Sequence, residues 1–126
     1  MGSAFPLTGR SILVVEDEPL ISLEMTALFE SVGAKVLQAR TVAEALERAD
    51  AVSAAVLDYS LAKSNPALYG LLKERSIPFM FYTGYGDVQE DHPHAVVVQK
   101  PATSNALLTA VVGLVEPGAV AGSLAA

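Results

Sequence analysis

The sequence predicts a single α/β domain in which helices cover both faces of a five-stranded parallel sheet. Its 126 residues fit one domain. A hydrophobic content of 52% with only 17% charged residues is typical of a globular chain with a substantial core. Five short apolar runs alternate with helix-like stretches, which is the pattern of right-handed β-α-β units.

The five apolar runs supply the strands. SILVV and AAVL are continuously apolar, which is typical of strands buried on both faces. AKVLQA is more polar, so we expect it nearer an edge of the sheet. The strands are predicted at Ser11–Val15, Ala34–Ala39, Ala54–Leu57, Pro78–Thr83 and Ala95–Gln99.

Helices are predicted between the strands from apolar periodicity and end signals. Pro19 suits the first turn of a helix, and Gly33 suits its end. Thr41 can cap the next helix with Glu44 as its capping-box partner. The predicted helices run from Pro19 to about Val32, from Thr41 through Ala49, from Pro66 to about Arg75, and from Thr103 to Val115. The segment Gly84–His94 is rich in glycine and acids, so we expect the fourth helix of the alternation to be short or disordered.

The predicted domain covers residues 11–115. Residues 1–10 are expected to form a flexible lead, and residues 116–126 a flexible tail. Because only 11 residues follow Val115, we expect the protein to act without an attached output domain.

The composition excludes several functional classes. A net charge of −6, with eight unclustered Lys and Arg residues, predicts no nucleic-acid partner. The chain has no cysteine, which excludes disulfides and thiolate metal sites. No apolar run reaches the roughly 20 residues that a membrane helix needs. The start, MGSAFPLTGR, does not resemble a signal peptide, so we expect a cytoplasmic protein without a membrane partner.

Polar side chains lie at the carboxyl ends of four of the five predicted strands. Glu16 and Asp17 follow the first, Asp58 the third and Lys100 the fifth, while Thr83 ends the fourth. The carboxyl ends of parallel strands share one edge of the sheet, where ligands bind in open α/β folds. We therefore expect three carboxylates, a hydroxyl and an ammonium group to converge there.

Converging carboxylates repel one another, which raises their pKa values or recruits a cation. Mg²⁺ suits such a site because it accepts a few carboxylates, keeps several waters and bridges to phosphate oxygens. A nearby hydroxyl and lysine suit a phosphoryl group. The pattern predicts a phosphoryl-transfer site with Asp58 as nucleophile. Each residue also has a simpler interpretation: Asp58 as a helix cap, Thr83 as a strand end and Lys100 as a surface charge.

Four motifs, ILVVEDE, AAVLD, FYTGYG and VVQKP, occur in this order between Ser11 and about Val115. Together they resemble the response-regulator receiver domains of two-component signalling. FYTGYGD resembles more narrowly the FATGUY-type single-domain receivers. The resemblance implies a flavodoxin-like (βα)5 three-layer sandwich with the strand order 2-1-3-4-5.

The resemblance also implies which residues form the metal site. Asp58 would be the phospho-acceptor and one of the metal-site residues, and Asp17 would ligate Mg²⁺ directly. Glu16 would act on the metal through water, and Ser60 would contribute its backbone carbonyl.

On the phosphoryl side, the resemblance assigns Thr83 and Lys100 as the binding and switch residues, with a cis bond before Pro101. Three positions depart from the family's pattern. Val97 stands where receivers have an aromatic switch residue, and Leu61-Ala62 replaces the usual Met-Pro pair. The usual aromatic switching mechanism is therefore not expected.

Candidate replacements for that switch lie around Thr83. They are Tyr82, Tyr85, Gly84 and Gly86. We expect the switch to be an ordering of the segment Gly84–His94, because its glycines and acids leave it few contacts. His92 and His94, flanking a proline in this acidic stretch, are expected to be solvated.

The predicted function is a signalling module that accepts a phosphoryl group from a sensor histidine kinase. It would act through a phosphorylation-dependent contact with an output protein, by relay to a histidine phosphotransfer protein, or by draining phosphate from the kinase. Its only catalysis would be its own phosphorylation and dephosphorylation. An alternative is an aspartate-nucleophile phosphatase of the haloacid-dehalogenase type, but such enzymes have a second Asp where Ser60 stands. A second alternative is a receiver-like scaffold that is never phosphorylated.

Overall fold

Five strands form one parallel sheet in the order β2-β1-β3-β4-β5. The structure, a computed structural model, describes residues 5–63, 65–84, 88 and 92–116. The strands are β1 Ser11–Val15, β2 Lys35–Ala39, β3 Ala54–Leu57, β4 Phe79–Thr83 and β5 Val96–Gln99. The predicted fold and strand order are confirmed, and each strand lies within one residue of its predicted bounds.

Burial along the strands follows their place in the sheet. All four residues of β3 are buried, whereas β2 at the edge has its first residue exposed and only its last buried. The register pairs Val15 with Leu57 and Thr83 with Gln99. The carboxyl ends of the strands therefore meet at one edge, as parallel pairing requires.

Helices occupy the connections between strands. They are α1 Pro19–Ser31, α2 Val42–Arg48, α3 Tyr59–Ala62, α4 Pro66–Glu74 and α5 Ser104–Val115. The sequence did not predict α3, because four residues are too few to show helical periodicity. Asp58 caps it, since its side chain accepts a hydrogen bond from the Ser60 amide.

The core has two layers, one on each face of the sheet. Alternate strand residues point to opposite faces, so Leu13 and Phe81 lie in one layer and Val14 and Met80 in the other. Helices α2, α3 and α4 cover the first layer, and α1 and α5 cover the second. The arrangement is the predicted three-layer sandwich.

Part of the predicted flexible lead packs against the domain. Leu7 is fully buried, and its amide donates to the Val32 carbonyl at 2.9 Å. Gly33, with φ of +100°, lies so close to Thr8 that a Cβ atom would come within 2.9 Å of the Thr8 nitrogen. Residues 5–10 therefore belong to the folded unit. The sequence could not predict this packing, because a single buried leucine beside a tight turn shows no periodicity.

Twelve residues, 84–95, join β4 to β5, so any helix there is short. Val88 is helical and buried, and its carbonyl accepts the His92 amide at 2.8 Å. Most of the segment that we expect to order on switching lies outside the described residues, and so does the predicted tail beyond Glu116. Within the part of the chain that the structure describes, no helix has the length and apolar character needed to cross a membrane.

Candidate functional site

Backbone hydrogen bonds extend past the strand ends and hold three of the predicted site residues. The Glu16 amide donates to the carbonyl of the last residue of β2 at 2.9 Å. The Asp58 amide donates to the last residue of β1 at 2.9 Å, and the Lys100 amide to the last residue of β4 at 2.8 Å. The side chains that follow β1, β3 and β5 are thereby fixed to a common edge.

Three of the predicted residues form a carboxylate cluster at this edge. Glu16, Asp17 and Asp58 each offer a carboxylate oxygen, and these oxygens lie within 4.8 Å of one another. Glu16 is 1% exposed and Asp58 7% exposed, whereas Asp17 is open to solvent. Two buried acids beside a third one make a site that favours a cation.

The carboxylate cluster fits Mg²⁺ by its chemistry and its dimensions. Mg²⁺ prefers oxygen ligands at 2.0–2.1 Å, so direct ligands lie within about 4 Å of one another. A spread of up to 4.8 Å between the carboxylate oxygens leaves room for direct ligands and for one that acts through water.

Lys100 reaches into the cluster and pairs with Glu16. Its Nζ lies 2.8 Å from Glu16 Oε1, and the exposed fractions of the two side chains are 19% and 1%. The Glu18 amide donates to the other Glu16 oxygen at 3.2 Å. Both oxygens of this buried carboxylate are therefore hydrogen-bonded, which is what a buried charge requires.

The two partners perturb each other's protonation. Burial raises the pKa of Glu16 above its ordinary value, although the hydrogen bonds from Lys100 and the Glu18 amide oppose that rise. Burial also acts to lower the pKa of Lys100, but the hydrogen bond to Glu16 and the nearby charges of Asp58 and Glu18 outweigh it, so this pKa is raised. Lys100 is therefore held as a cation at the edge of the cluster.

Asp58 is oriented by the residue two positions after it. The Ser60 hydroxyl donates to Asp58 Oδ2 at 2.9 Å, and the Ser60 amide donates to Oδ1 at 3.3 Å. Asp58 is thus a helix cap and a member of the carboxylate cluster at once. The resemblance assigned Ser60 only a carbonyl role. An acid followed two residues later by Ser is a known local hydrogen-bonding pattern and could have indicated the hydroxyl contact.

The remaining predicted residues lie around the same edge. Thr83 is fully buried at the end of β4, and Gly84 after it is exposed. The Lys100–Pro101 peptide bond is cis. Of the predicted switch positions, Tyr82 is buried, while Tyr85 and Gly86 lie outside the described residues.

An aromatic cluster in the core layer that α2, α3 and α4 cover contacts His92. The His92 ring centroid is 5.2 Å from Phe81 and 5.6 Å from both Tyr59 and Tyr69. Phe79 stacks on Tyr69 at 5.9 Å. His92 is half-buried against these rings, so the expectation that it is solvated holds only in part. The sequence could not indicate these contacts, because the rings come from separate elements that only the fold brings together. His94 is exposed, as expected.

No protein-family profile matches the chain, and no curated protein matches it. Solved structures do match. The receiver domain of the PhyR response regulator from Erythrobacter litoralis has 25% identity and a TM-score of 0.71, with 82% of this chain and 88% of that one covered.

Two further solved structures show the same similarity. A response regulator receiver domain protein from Clostridium thermocellum has 23% identity and a TM-score of 0.72, with 88% of this chain and 98% of that one covered. A response regulator receiver protein from Sinorhizobium medicae has 22% identity and a TM-score of 0.72, with 84% and 94% covered. The resemblance predicted from the four motifs is thereby confirmed, and the chain has the fold of a response-regulator receiver domain.

Proposed function

We propose that Asp58 accepts a phosphoryl group from a histidine of a sensor kinase, and that the change alters a contact with another protein. One observation carries the proposal. Three carboxylates and an ammonium group converge at the carboxyl edge of a receiver fold, with their oxygens within 4.8 Å and Lys100 Nζ 2.8 Å from Glu16. This edge is where open α/β sheets bind ligands.

The proposed reaction is an exchange of bonds at phosphorus. An ionised oxygen of Asp58 forms the new P–O bond while the P–N bond to the kinase histidine breaks, and the departing imidazole takes up a proton. The Ser60 hydrogen bonds hold the carboxylate in one orientation before the reaction. Thr83 and Lys100 supply a hydroxyl and an ammonium group for the oxygens of the bound phosphoryl group.

The metal in this proposal is Mg²⁺. Asp17 and Asp58 would hold it directly, Glu16 through water, and the Ser60 carbonyl would complete the protein ligands. When bound, Mg²⁺ supplies positive charge for the phosphoryl oxygens.

The proposed setting is a cytoplasmic two-component system. The partner that donates the phosphoryl group is a sensor histidine kinase. The receiving partner is an output protein or a histidine phosphotransfer protein. We further propose that the chain works as a single-domain receiver of the FATGUY type, and that it catalyses only its own phosphorylation and dephosphorylation. A haloacid-dehalogenase-type phosphatase is disfavoured because Ser60 stands where its second Asp would be.

Intact-mass measurement tests the acceptor. With Mg²⁺ and a small acyl-phosphate donor, the wild type should gain one phosphoryl group, and Asp58→Asn should gain none. Asp50→Asn, at an exposed position paired with Arg75, is the matched control and should behave as wild type. A wild type without an adduct would indicate a receiver-like scaffold that is never phosphorylated, and an adduct in Asp58→Asn would place the acceptor elsewhere.

A further inference from the structure

Tyr82 lies directly beside the ammonium group of Lys100. Lys100 Nζ is placed over the Tyr82 ring, 5.4 Å from its centroid. This distance is within the range at which a cation is attracted by the electrons of an aromatic ring. Lys100 thus has two partners in the part of the chain that the structure describes, the Glu16 carboxylate and the Tyr82 ring face.

The same tyrosine also contacts the far side of the turn that carries Lys100. The Tyr82 hydroxyl accepts a hydrogen bond from the Ala102 amide at 3.4 Å. Lys100 and Ala102 flank Pro101, so one side chain contacts the turn at both ends. Tyr82 as a residue is 8% exposed and belongs to the core layer beneath α1 and α5, which fixes its position.

Phosphorylation should affect the two contacts of Lys100 differently. In the proposed function Glu16 turns to the metal and Lys100 turns to the phosphoryl group, so the Glu16–Lys100 ion pair must give way. The Tyr82 ring is a ligand neither for the metal nor for the phosphoryl group, so it can stay beside the ammonium group. A lysine released from its carboxylate would otherwise regain the freedom of a long, hydrated side chain.

We propose that Tyr82 is a positioning residue for Lys100, holding its ammonium group at the phosphoryl site when Glu16 is no longer its partner. The inference rests on the proposed function and deepens it. Tyr82 takes this role through its ring face, and its hydroxyl holds the turn that follows Lys100.

The contact can be measured first without any substitution. Protons above a tyrosine ring are shifted upfield, so the ε-methylene protons of Lys100 should resonate upfield of those of exposed Lys35. The shift should persist after addition of Mg²⁺ and beryllofluoride, a mimic of the phosphoryl group. Lys100 protons at the same position as those of Lys35, or loss of the shift on adding beryllofluoride, would overturn the proposal.

A double-mutant cycle then tests whether the ring acts through Lys100. The affinity for beryllofluoride in saturating Mg²⁺ should fall about fivefold in Tyr82→Leu. It should stay close to wild type in Tyr82→Phe, which keeps the ring. In a Lys100→Met background, Tyr82→Leu should have no further effect. An equal loss of affinity in both backgrounds would show that Tyr82 only supports the fold. No loss of affinity in either background would show that Tyr82 has no part in phosphoryl binding.

A second variant and the behaviour of the wild type separate failure of the Tyr82 role from failure of the proposed function. Tyr82→Met provides a second variant that lacks the ring and fills a similar space, should Tyr82→Leu fail to fold. If the wild type neither gains a phosphoryl group nor binds beryllofluoride, the proposed function fails. If the wild type does both and the cycle shows no coupling, only the role of Tyr82 fails.

Discussion

Lys100 neutralises Glu16, the most deeply buried of the three clustered carboxylates. The sequence predicts Lys100 only on the phosphoryl side of the site. Its ion pair with Glu16 changes that expectation. A positive charge inside a cation site competes with the metal, because it repels the ion and engages one of its ligands.

Removing this charge should therefore strengthen metal binding while it weakens phosphoryl binding. In Lys100→Met, we expect the affinity for Mg²⁺ to rise about three- to tenfold and the affinity for beryllofluoride to fall. Titrations followed by NMR measure both. Lys35→Met, at the opposite end of the sheet and exposed, is the control and should change neither. An unchanged Mg²⁺ affinity in Lys100→Met would show that the ion pair does not compete with the metal.

Two tyrosine hydroxyls provide a contrast at the scale of single atoms. The Tyr69 hydroxyl is buried and has no hydrogen-bond partner among the residues that the structure describes, whereas the Tyr82 hydroxyl accepts from the Ala102 amide. Replacing Tyr69 by Phe should be neutral or stabilise the fold by about 1 kcal/mol, since it breaks no hydrogen bond to any described residue. Tyr82→Phe should destabilise it by about 1 kcal/mol. Urea unfolding measures both, and a larger loss in Tyr69→Phe than in Tyr82→Phe would contradict the structure.

Tyr69 also predicts a pH dependence. Burial, with a smaller contribution from Tyr59, raises the pKa of Tyr69 to about 12. Between its ordinary value near 10 and this value, the unfolded chain loses the phenolic proton while the folded protein keeps it. The free energy of unfolding should therefore fall as the pH rises through that window. Tyr69→Phe should lessen the fall, and an identical pH dependence in both proteins would contradict the raised pKa.

At the scale of elements, α2 is a helix of only seven residues that depends on its amino-terminal cap. The Glu44 amide donates to the Thr41 hydroxyl at 3.1 Å, and the Glu44 carboxylate accepts the Arg40 amide at 2.9 Å. The predicted capping pair is present, with Glu44 reaching one residue further back than expected. The Arg40 amide is the main cause of the lowered pKa of Glu44.

The cap should make a measurable contribution to the free energy of unfolding. Thr41→Ala should cost about 1 kcal/mol because the Glu44 amide loses its acceptor. Thr109→Ala, at an exposed position within α5, is the matched control and should be neutral or slightly stabilising. Chemical denaturation of the three proteins gives the comparison, and equal stability of the two variants would mean that the cap contributes nothing to this fold.

At the scale of the whole molecule, the carboxylate cluster connects metal binding to folding. Because only the folded protein brings Glu16, Asp17 and Asp58 together, Mg²⁺ should stabilise the folded state. At tenfold excess over its dissociation constant it should raise Tm by about 5 °C. The rise should disappear at acid pH as the ligands protonate.

Asp17→Asn should remove most of this stabilisation. Asp17 is exposed, so its replacement should leave the metal-free stability nearly unchanged. Asp50→Asn, remote from the site, should keep the full response to Mg²⁺. Thermal unfolding with and without Mg²⁺ measures the effect, and a response in Asp17→Asn equal to that of the wild type would contradict this placement of the metal.

Much of the fold and the composition of the candidate site could be predicted from sequence because both depend on local patterns. The run SILVV predicts a buried strand wherever it occurs, and the polar residues after such runs lie at the same edge of any parallel sheet. The sequence did not predict helix α3 or the packing of residues 5–10 around Leu7. A four-residue helix and a single buried leucine leave no periodic pattern.

The sequence by itself determined the layers, the strands and the set of polar groups at the carboxyl edge of the sheet. Only the tertiary structure decided which of those groups are partners. Lys100 pairs with Glu16 across 84 residues of chain and lies over the Tyr82 ring, while His92 lies half-buried among aromatic rings. Periodicity depends on repeats of two and 3.6 residues along the chain. Pairing depends on the reach of a side chain and the space around it, and these exist only once distant strands have been brought together.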